Sequence, residues 1–255
     1  WFDALPLKGK KIVVTRPRER SGTLAGRLSK LGADVYEYPC IRTEPIIPCP
    51  EMEAALNRLG DYTHLVLTSP AGVEALWGML EREGKDARAL SGMTLAAIGP
   101  GTDRELRKHG LRADYIPAVY DAAHLGAGLA GMVSGRVLIL RAELGSPALT
   151  EALERGKIPY DDIHCYTTAY ESEHAAALRA LIREDKVDIV TFTSASTVRG
   201  FSHSVGEDLD FSRVLGACIG EQTAAEARRY GIRTRVAAQA TMDALIDIII
   251  KEGNK

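Results

Sequence analysis

Four short polar turns in this sequence have the composition of an anion-binding site. Each follows a run of apolar residues and precedes an amphipathic stretch with helical spacing. Serine, threonine, glycine and proline suit the first turn of a helix, and capping alone is one role for them. The same turns point backbone N–H groups and the positive end of a helix dipole toward phosphate or carboxylate ligands. The candidate ligand-binding residues are Ser69, Ser194, Ser196, Gly99, Thr102, Gly220, Gln222 and Thr223.

Two arginines end two similar apolar runs. Arg16 follows residues 12–15 (IVVT), and Arg141 follows residues 137–140 (VLIL). A guanidinium group binds a carboxylate through two parallel hydrogen bonds, so either arginine could hold a carboxylate ligand at the edge of a sheet. The alternative is an ion pair with a neighbouring acidic residue. The sequence does not choose between the two roles.

Other common chemical motifs are missing or misplaced. Residues 126–131 (GAGLAG) spell the GxGxxG pattern of dinucleotide-binding proteins. They end an amphipathic stretch before a strand, whereas the functional motif opens a helix after a strand. The four cysteines form no CxxC pair, the six histidines have no zinc-ligand spacing, and no GxSxG or GxxxxGK[ST] segment occurs. We therefore expect free thiols and no metal site.

The composition is typical of a globular protein. Of the 255 residues, 45% are hydrophobic and 26% are charged, which excludes disorder and fibrous repeats. The formal net charge is −2, so nucleic acid is not an expected partner. No apolar run approaches the length of a membrane span, and the first thirty residues contain no apolar signal core. These features predict a cytoplasmic protein with no membrane partner.

Apolar strands alternate with amphipathic helices along the chain. Short apolar runs rich in β-branched residues occur at 12–14, 65–67, 137–140 and 189–190. Apolar residues at helical spacing follow them, as at Leu24, Leu28 and Leu31. Continuous apolar strands are typical of parallel sheets that helices cover on both faces. The sequence therefore predicts an α/β fold, as one large domain or two modest ones.

An internal repeat organises these elements. Five segments recur in order at an offset of 125 residues that falls to 121: 11–16 with 136–141, Cys40 with Cys165, 68–69 with 193–194, 98–102 with 219–223, and 110–112 with 231–233. This order indicates a duplicated unit and two similar lobes. Residues 38–45 and 164–170 occupy matching places in the repeats. Either each repeat is one lobe, or the chain crosses between lobes at both stretches.

Tyr166 breaks this repeat, because the matching residue is Ile41. A tyrosine near a crossing point between lobes could donate a proton at the mouth of a cleft. It could equally be an aromatic hinge residue that packs against one lobe. The residues alone leave both roles open.

Seven segments follow one another along the chain in this order: GKKIVVTRPRERSGTLAGRL, LVLTSPAGVEAL, LAAIGPGT, VLILRAELGSPAL, CYTTAY, VTFTSASTVRGF and ACIGEQTAAEARRYGI. Together they resemble the uroporphyrinogen-III synthase family. The resemblance implies two flavodoxin-like, doubly wound parallel-sheet lobes joined by a two-stranded connector. It places residues 1–38 and 169–255 in the first lobe, 44–164 in the second lobe, and 39–43 and 165–168 in the connectors.

The resemblance also implies a reaction. It is the cyclisation of hydroxymethylbilane to uroporphyrinogen III, with loss of water and inversion of ring D through a spiro intermediate, and it needs no metal or organic cofactor. Tyr166 matches the tyrosine proposed to assist departure of the hydroxyl group, and Ser69, Thr102 and Thr223 match residues that line the cleft. Some relatives have arginine where Ala71 stands and threonine where Gln222 stands. We therefore expect backbone amides to bind more of the substrate here.

Other functions and partners stay open on the sequence. A non-enzymatic two-lobe binding protein for an anionic metabolite would have similar sheets and a similar hinge. A flavodoxin-like electron carrier would need a Ser/Thr-rich phosphate loop after the first strand, where residues 16–20 read RPRER. Residues 1–7 (WFDALPL) resemble the junction of bacterial fusions in which a uroporphyrinogen-III C-methyltransferase precedes the synthase. We expect a monomer that is fused to such a methyltransferase or works beside it, in heme or cobalamin biosynthesis.

Overall fold

The computed structural model describes residues 5–16, 18–206 and 208–253. The chain divides into two compact units. The first unit comprises Trp1–Arg42 and Ala169–Lys255, and the second unit comprises Thr43–Thr168. The finer lobe boundaries that the resemblance implies stay a prediction.

Strands and helices alternate in both units, so the predicted α/β class is confirmed. The strands are β1 (Lys11–Val14), β2 (Asp34–Glu37), β3 (Ile41–Pro45), β4 (Tyr62–Leu67), β5 (Thr94–Ala97), β6 (Arg136–Ala142), β7 (Tyr160–Tyr170), β8 (Ile189–Phe192), β9 (Leu215–Cys218) and β10 (Arg233–Val236). The helices are α1 (Arg18–Lys30), α2 (Pro50–Leu56), α3 (Pro70–Arg82), α4 (Pro100–Lys108), α5 (Ala122–Met132), α6 (Ala148–Arg155), α7 (Ala175–Arg183), α8 (Ala195–Val205), α9 (Glu221–Arg229) and α10 (Met242–Gly253). In the part of the chain that the structure describes, no helix is long and apolar enough to span a membrane.

The first unit is built on a five-stranded parallel sheet in the order β10-β9-β8-β1-β2. Its interior strand β1, between β8 and β2, is fully buried at Ile12, Val13 and Val14. The alternating side chains of this strand enter two core clusters, one with Leu24 and one with Phe192. Because every strand runs in the same direction, all their carboxyl ends lie at one edge of the sheet.

The second unit contains a five-stranded sheet in the order β3-β7-β6-β4-β5, in which β7, β6, β4 and β5 are parallel. Residues Val137–Leu140 of β6 are fully buried between two core clusters. Strand β3 lies at the edge of the sheet. Pro45 has no backbone N–H to donate, and at the edge this does not interrupt the hydrogen bonding between central strands. β3 and β7 are neighbours, and each contains one of the two points where the chain passes between units. This is the arrangement expected of a two-stranded connector.

The GxGxxG segment lies inside α5, before β6, as its position in the sequence indicated. A Cβ atom on Gly126 would come within 2.7 Å of Ala152 Cβ and 3.0 Å of the Leu149 carbonyl oxygen, both on α6. A Cβ on Gly128 would meet the Tyr115 hydroxyl. Glycine at these two positions therefore allows α5 to pack closely against its neighbours, and the motif has a structural role.

Candidate functional site

The carboxyl edge of the second unit's sheet collects polar groups from four neighbouring strands. Ser69 follows β4, Gly99 follows β5, Arg141 lies near the end of β6, and Tyr166 lies in β7. These strands are parallel and adjacent, in the order β7-β6-β4-β5. In an open α/β sheet, this edge is where ligands bind.

Ser69 and Tyr166 form a hydrogen-bonded pair at this edge. Ser69 Oγ lies 2.6 Å from Tyr166 Oη, and it also accepts a hydrogen bond of 3.1 Å from the Gly72 N–H at the start of α3. Only 7% of Tyr166 is exposed, because its ring lies in the core cluster beneath α3. Ser69 is half-buried. The serine hydroxyl is therefore the more accessible member of the pair, and the phenol stands behind it as a second proton donor.

The second polar turn of this unit begins α4. Gly99 has an extended backbone and provides no side-chain cap, so the first-turn N–H groups of α4 lack a side-chain partner from this position. A Cβ atom on Gly99 would lie 3.2 Å from Tyr120 Cβ, a tight contact that glycine avoids. Thr102 follows in the first turn and is 98% buried. This helix start offers backbone donors and a dipole end to an anionic ligand.

The first unit repeats this arrangement at the carboxyl ends of β8 and β9. Ser194 caps α8 through a hydrogen bond of 3.2 Å from the Thr197 N–H, and its Oγ lies 2.9 Å from Ser196 Oγ. Gly220 begins α9 without a side-chain cap, as Gly99 does for α4. In the first turn of α9 the predicted residues differ in exposure: Gln222 is exposed, whereas Thr223 is buried. Ser196 is thus the hydroxyl partner of Ser194, as Tyr166 is the hydroxyl partner of Ser69 in the second unit.

The two arginines are in different environments. Arg141 is buried, and its guanidinium binds Asp162 in a bidentate ion pair with Nε–Oδ1 at 2.7 Å and Nη2–Oδ2 at 2.5 Å. Its Nη1 donates to the Ser146 carbonyl oxygen at 2.5 Å. The three nitrogens of the fork are therefore all engaged within the protein, and the neighbouring-acid alternative describes this residue. We infer a structural role for Arg141.

Arg16 lies at the carboxyl edge of the first unit, directly after β1. It is half-buried, and its Nη1 lies 3.1 Å from Met242 Sδ at the start of α10. A thioether is a weak acceptor, and Arg16 has a further interaction partner besides this contact. Arg16 keeps its place among the candidate ligand-binding residues.

Thiol chemistry is suppressed by burial. Desolvation raises the pKa of Cys40, Cys165 and Cys218 to about 12, so these groups are neutral thiols near neutral pH. Burial also raises the pKa of Cys49. No cluster of three or more potential metal ligands occurs among the described histidines, cysteines and acidic residues. The buried thiols are therefore weak nucleophiles near neutral pH.

Sequence reasoning found most of these positions but missed two relationships. It named Ser69 and Tyr166 separately and gave no sign that their hydroxyl groups meet. It also missed an apolar groove beside Tyr166, along one face of α3. The signal for the groove was present, since Ala71, Ala75 and Gly78 place three small residues on one face of a helix.

The fold and the polar edges define an α/β protein with two similar sheets, each suited to an anionic ligand. A family model described as "Uroporphyrinogen-III synthase HemD" matches residues 22–247. The chain is 36% identical to "Porphyrin biosynthesis protein HemD" of Ruminiclostridium josui over 99% of its own length, but it spans only 50% of that relative. It is 30% identical to "Uroporphyrinogen-III synthase" of Synechococcus elongatus, with 94% of each chain covered. The chain belongs to the uroporphyrinogen-III synthase family.

A solved structure supports the fold independently. A mutant uroporphyrinogen III synthase from Thermus thermophilus matches with a TM-score of 0.66, covering 95% of this chain and 98% of that chain at 20% identity. Identity this low shows the fold alone. The predicted two-lobe α/β fold and the predicted family are both confirmed, and the non-enzymatic binding protein is not favoured.

Proposed function

We propose that this chain cyclises hydroxymethylbilane to uroporphyrinogen III, as a hydro-lyase that needs no cofactor. Family membership and the Ser69–Tyr166 pair support this proposal. The reaction loses the ring-A hydroxyl as water and leaves an azafulvene electrophile. The substituted carbon of ring D attacks it to give a spiro intermediate, which fragments and recloses with ring D inverted. Spontaneous closure gives the non-inverted I isomer, so the protein must chiefly hold the chain in the productive curl.

The observation that carries the mechanism is the hydrogen bond between Ser69 and Tyr166. In the proposed step, the leaving hydroxyl takes a proton from Ser69 Oγ while Tyr166 Oη replaces that proton. The C–O bond breaks and water leaves, so that the substrate carries the positive charge of a protonated azafulvene and the phenol oxygen carries the negative charge. The proton that the substrate releases on ring closure then restores the phenol. The Gly72 N–H bound to Ser69 Oγ holds the serine oxygen in position throughout. Tyr166 is the proposed catalytic acid, and Ser69 is the proposed relay.

The eight carboxylates of the substrate need many donors. The proposed binding groups in each unit are its strand-end turns, namely the backbone N–H groups at the uncapped helix starts of Gly99 and Gly220, and the Ser194 hydroxyl. Side chains that add to them in this proposal are Ser196, Thr102, Thr223, Gln222 and Arg16. Because Ala71 replaces an arginine found in some relatives, backbone donors carry a larger share of the binding.

One assay tests the proposed function directly. The purified chain is given hydroxymethylbilane, the products are oxidised, and the ratio of the III and I isomers is measured. The proposed function requires an excess of the III isomer, formed faster than spontaneous closure. Formation of the I isomer alone, at the rate seen without protein, would contradict it.

The proposed setting is porphyrin biosynthesis in the cytoplasm, as a monomer. The proposed partner is a uroporphyrinogen-III C-methyltransferase, either fused to this chain or beside it. Support comes from the Ruminiclostridium josui relative, which is about twice as long as the matched region. Co-purification of the chain with such a methyltransferase tests the partnership, and sedimentation tests the oligomeric state.

A further inference from the structure

A groove of about 270 Å³ runs along α3 in the second unit, beside the proposed catalytic residue. We call it the α3 groove. Its walls come from one face of α3, from Ile46 after β3, from Met52 of α2 and from the Tyr166 ring. The lining is mostly apolar and includes two charged side chains, Glu74 in the middle of α3 and Arg82 at its C-terminal end. Tyr166 therefore lines the groove, and its hydroxyl group is hydrogen-bonded to Ser69.

Small side chains on α3 create the groove. Ala71, Ala75 and Gly78 lie four and three residues apart, so they follow one face of the helix. A Cβ atom on Gly78 would have nothing within 4 Å. Glycine within a helix is normally unfavourable compared with alanine. Gly78 keeps this face of α3 open, because its Cβ position has no neighbouring atom within 4 Å.

The charges favour an anionic group at the far end of the groove. Arg82 lies one turn beyond Gly78 and makes no hydrogen bond or ion pair with any described residue. Glu74 already has an interaction partner. The side chain of a helical residue leans toward the helix N-terminus, which directs Arg82 back along the groove. Arg82 is therefore the residue of the α3 groove whose positive charge can bind a carboxylate.

We propose that the α3 groove binds the terminal pyrrole ring that carries the leaving hydroxyl group, with one of its carboxylate arms on Arg82. This inference rests on the proposed function. The leaving oxygen must come within hydrogen-bond reach of the Ser69–Tyr166 pair, and a single methylene joins it to its ring. The ring must therefore pack next to Tyr166. The volume lies just below the range of about 300–1,000 Å³ for complete ligands, as expected of a subsite for one ring.

Gly78→Leu fills the groove and keeps the helix, because the new side chain meets no atom at its Cβ. Gly131→Leu is the matched control, since Gly131 also lies in a helix, α5, with open space around it. Both variants are first shown to have the circular dichroism and melting temperature of a folded chain. We expect Gly78→Leu to raise KM for hydroxymethylbilane about tenfold or more, and Gly131→Leu to stay within about twofold of the original chain.

A binding measurement separates this inference from the proposed function. The probe is a single pyrrole with one acetate and one propionate arm, titrated against the isotope-labelled full chain by NMR. We expect shifts at the backbone amides of Ala75 and Gly78, and their loss in Gly78→Leu. Arg82→Gln should weaken binding roughly two- to fivefold, whereas Arg155→Gln on α6 should not change it.

The outcomes point in different directions for the two proposals. If the chain makes the III isomer but Gly78→Leu keeps the original KM, or the probe shifts fall outside the α3 groove, the groove is not a substrate subsite. If the chain makes only the I isomer and the probe still binds at Gly78, the cyclisation proposal fails and the groove remains a site for a carboxylated pyrrole.

Discussion

Tyr166 Oη lies 2.6 Å from Ser69 Oγ, although 97 residues separate the two side chains along the chain. Strand β6 lies between β4, which leads to Ser69, and β7, which contains Tyr166. Neighbouring strands are about 4.8 Å apart, so the tyrosine ring must cross the full width of β6 to reach the serine. The first unit has no such contact at its matching position, where Ser194 binds Ser196 instead. The duplicated fold is therefore chemically asymmetric.

Tyr166→Phe should slow the reaction without unfolding the chain. The variant loses one oxygen and keeps the ring that fills the core. We expect a fall in kcat of about a hundredfold or less, at the low end of general-acid contributions, because this hydroxyl also leaves spontaneously. The product should shift toward the I isomer as uncatalysed closure competes. The isomer ratio and single-turnover rate measure this, and an unchanged rate with an unchanged ratio would make Tyr166 a packing residue only.

Ser69→Ala should act on the same step, so its effect should not add to that of Tyr166→Phe. If the serine relays the tyrosine's proton, the double variant should be about as slow as the slower single variant. Ser69→Ala also removes a helix cap, which costs about 1 kcal/mol of stability. Asp121→Ala is the control, because Asp121 caps α5 by accepting from the His124 N–H at 2.8 Å. It should lose similar stability and keep its rate, and independent effects in the double variant would rule out a relay.

Much of the site could be located from sequence because its signals are local. An apolar run, a cap residue and helical spacing stand next to one another at Ser69 and Ser194, so the turns were found at the right strand ends. The pairing of these turns with other groups is not local. The contacts of Ser69 with Tyr166, and of Arg141 with Asp162, depend on the strand order β7-β6-β4, which composition and spacing do not encode.

Arg141→Ala should destabilise the chain strongly and should not act mainly through substrate binding. The side chains of Arg141 and Asp162 are 8% and 19% exposed, so the variant leaves the Asp162 carboxylate with little solvent and with only His164 Nε2, 3.8 Å away, as an ion-pair neighbour. Breaking a buried ion pair from one side costs about 3–5 kcal/mol in the free energy of unfolding. Arg107→Ala breaks a pair in which the arginine is 59% exposed and Asp103 keeps the Ala113 N–H as a partner, so it should cost less than about 1 kcal/mol. Denaturant unfolding measures both, and an unaltered midpoint with a raised KM would assign Arg141 to the substrate.

Arg16→Gln should have the opposite profile. Its contact with Met242 Sδ is a weak one, and the residue lies directly after β1 at the carboxyl edge of the sheet, where the polycarboxylate is proposed to bind. We expect KM to rise roughly tenfold, as for loss of a charged hydrogen bond, with a weaker dependence on salt than in the original chain. Arg213→Gln serves as the comparison, because Arg213 precedes β9 and lies at the amino edge of the same sheet. Equal KM values for the two variants would remove Arg16 from the site.

Gly126→Ala should weaken the packing of α5 on α6. The new methyl group would lie 2.7 Å from Ala152 Cβ and 3.2 Å from Leu149 Cα, and neither atom can move without the helix. Such overpacking costs about 1–3 kcal/mol. Gly131→Ala has open space in the same helix and should gain up to about 1 kcal/mol from helix propensity. Thermal unfolding compares the two, and a stable Gly126→Ala variant would show that GxGxxG is not a packing motif here.

Alkaline pH should destabilise the chain through its buried thiols. Burial raises the pKa of Cys40, Cys165 and Cys218 from 9.0 to about 12, so the unfolded chain loses these protons at a lower pH than the folded chain. Their contribution to stability is therefore complete below pH 9 and is lost as the pH rises toward 12. Denaturant midpoints across this range should fall with pH, and Cys218→Ala should fall less steeply. Identical slopes for Cys218→Ala and the original chain would mean that the Cys218 thiol ionises as easily in the folded state as in the unfolded one.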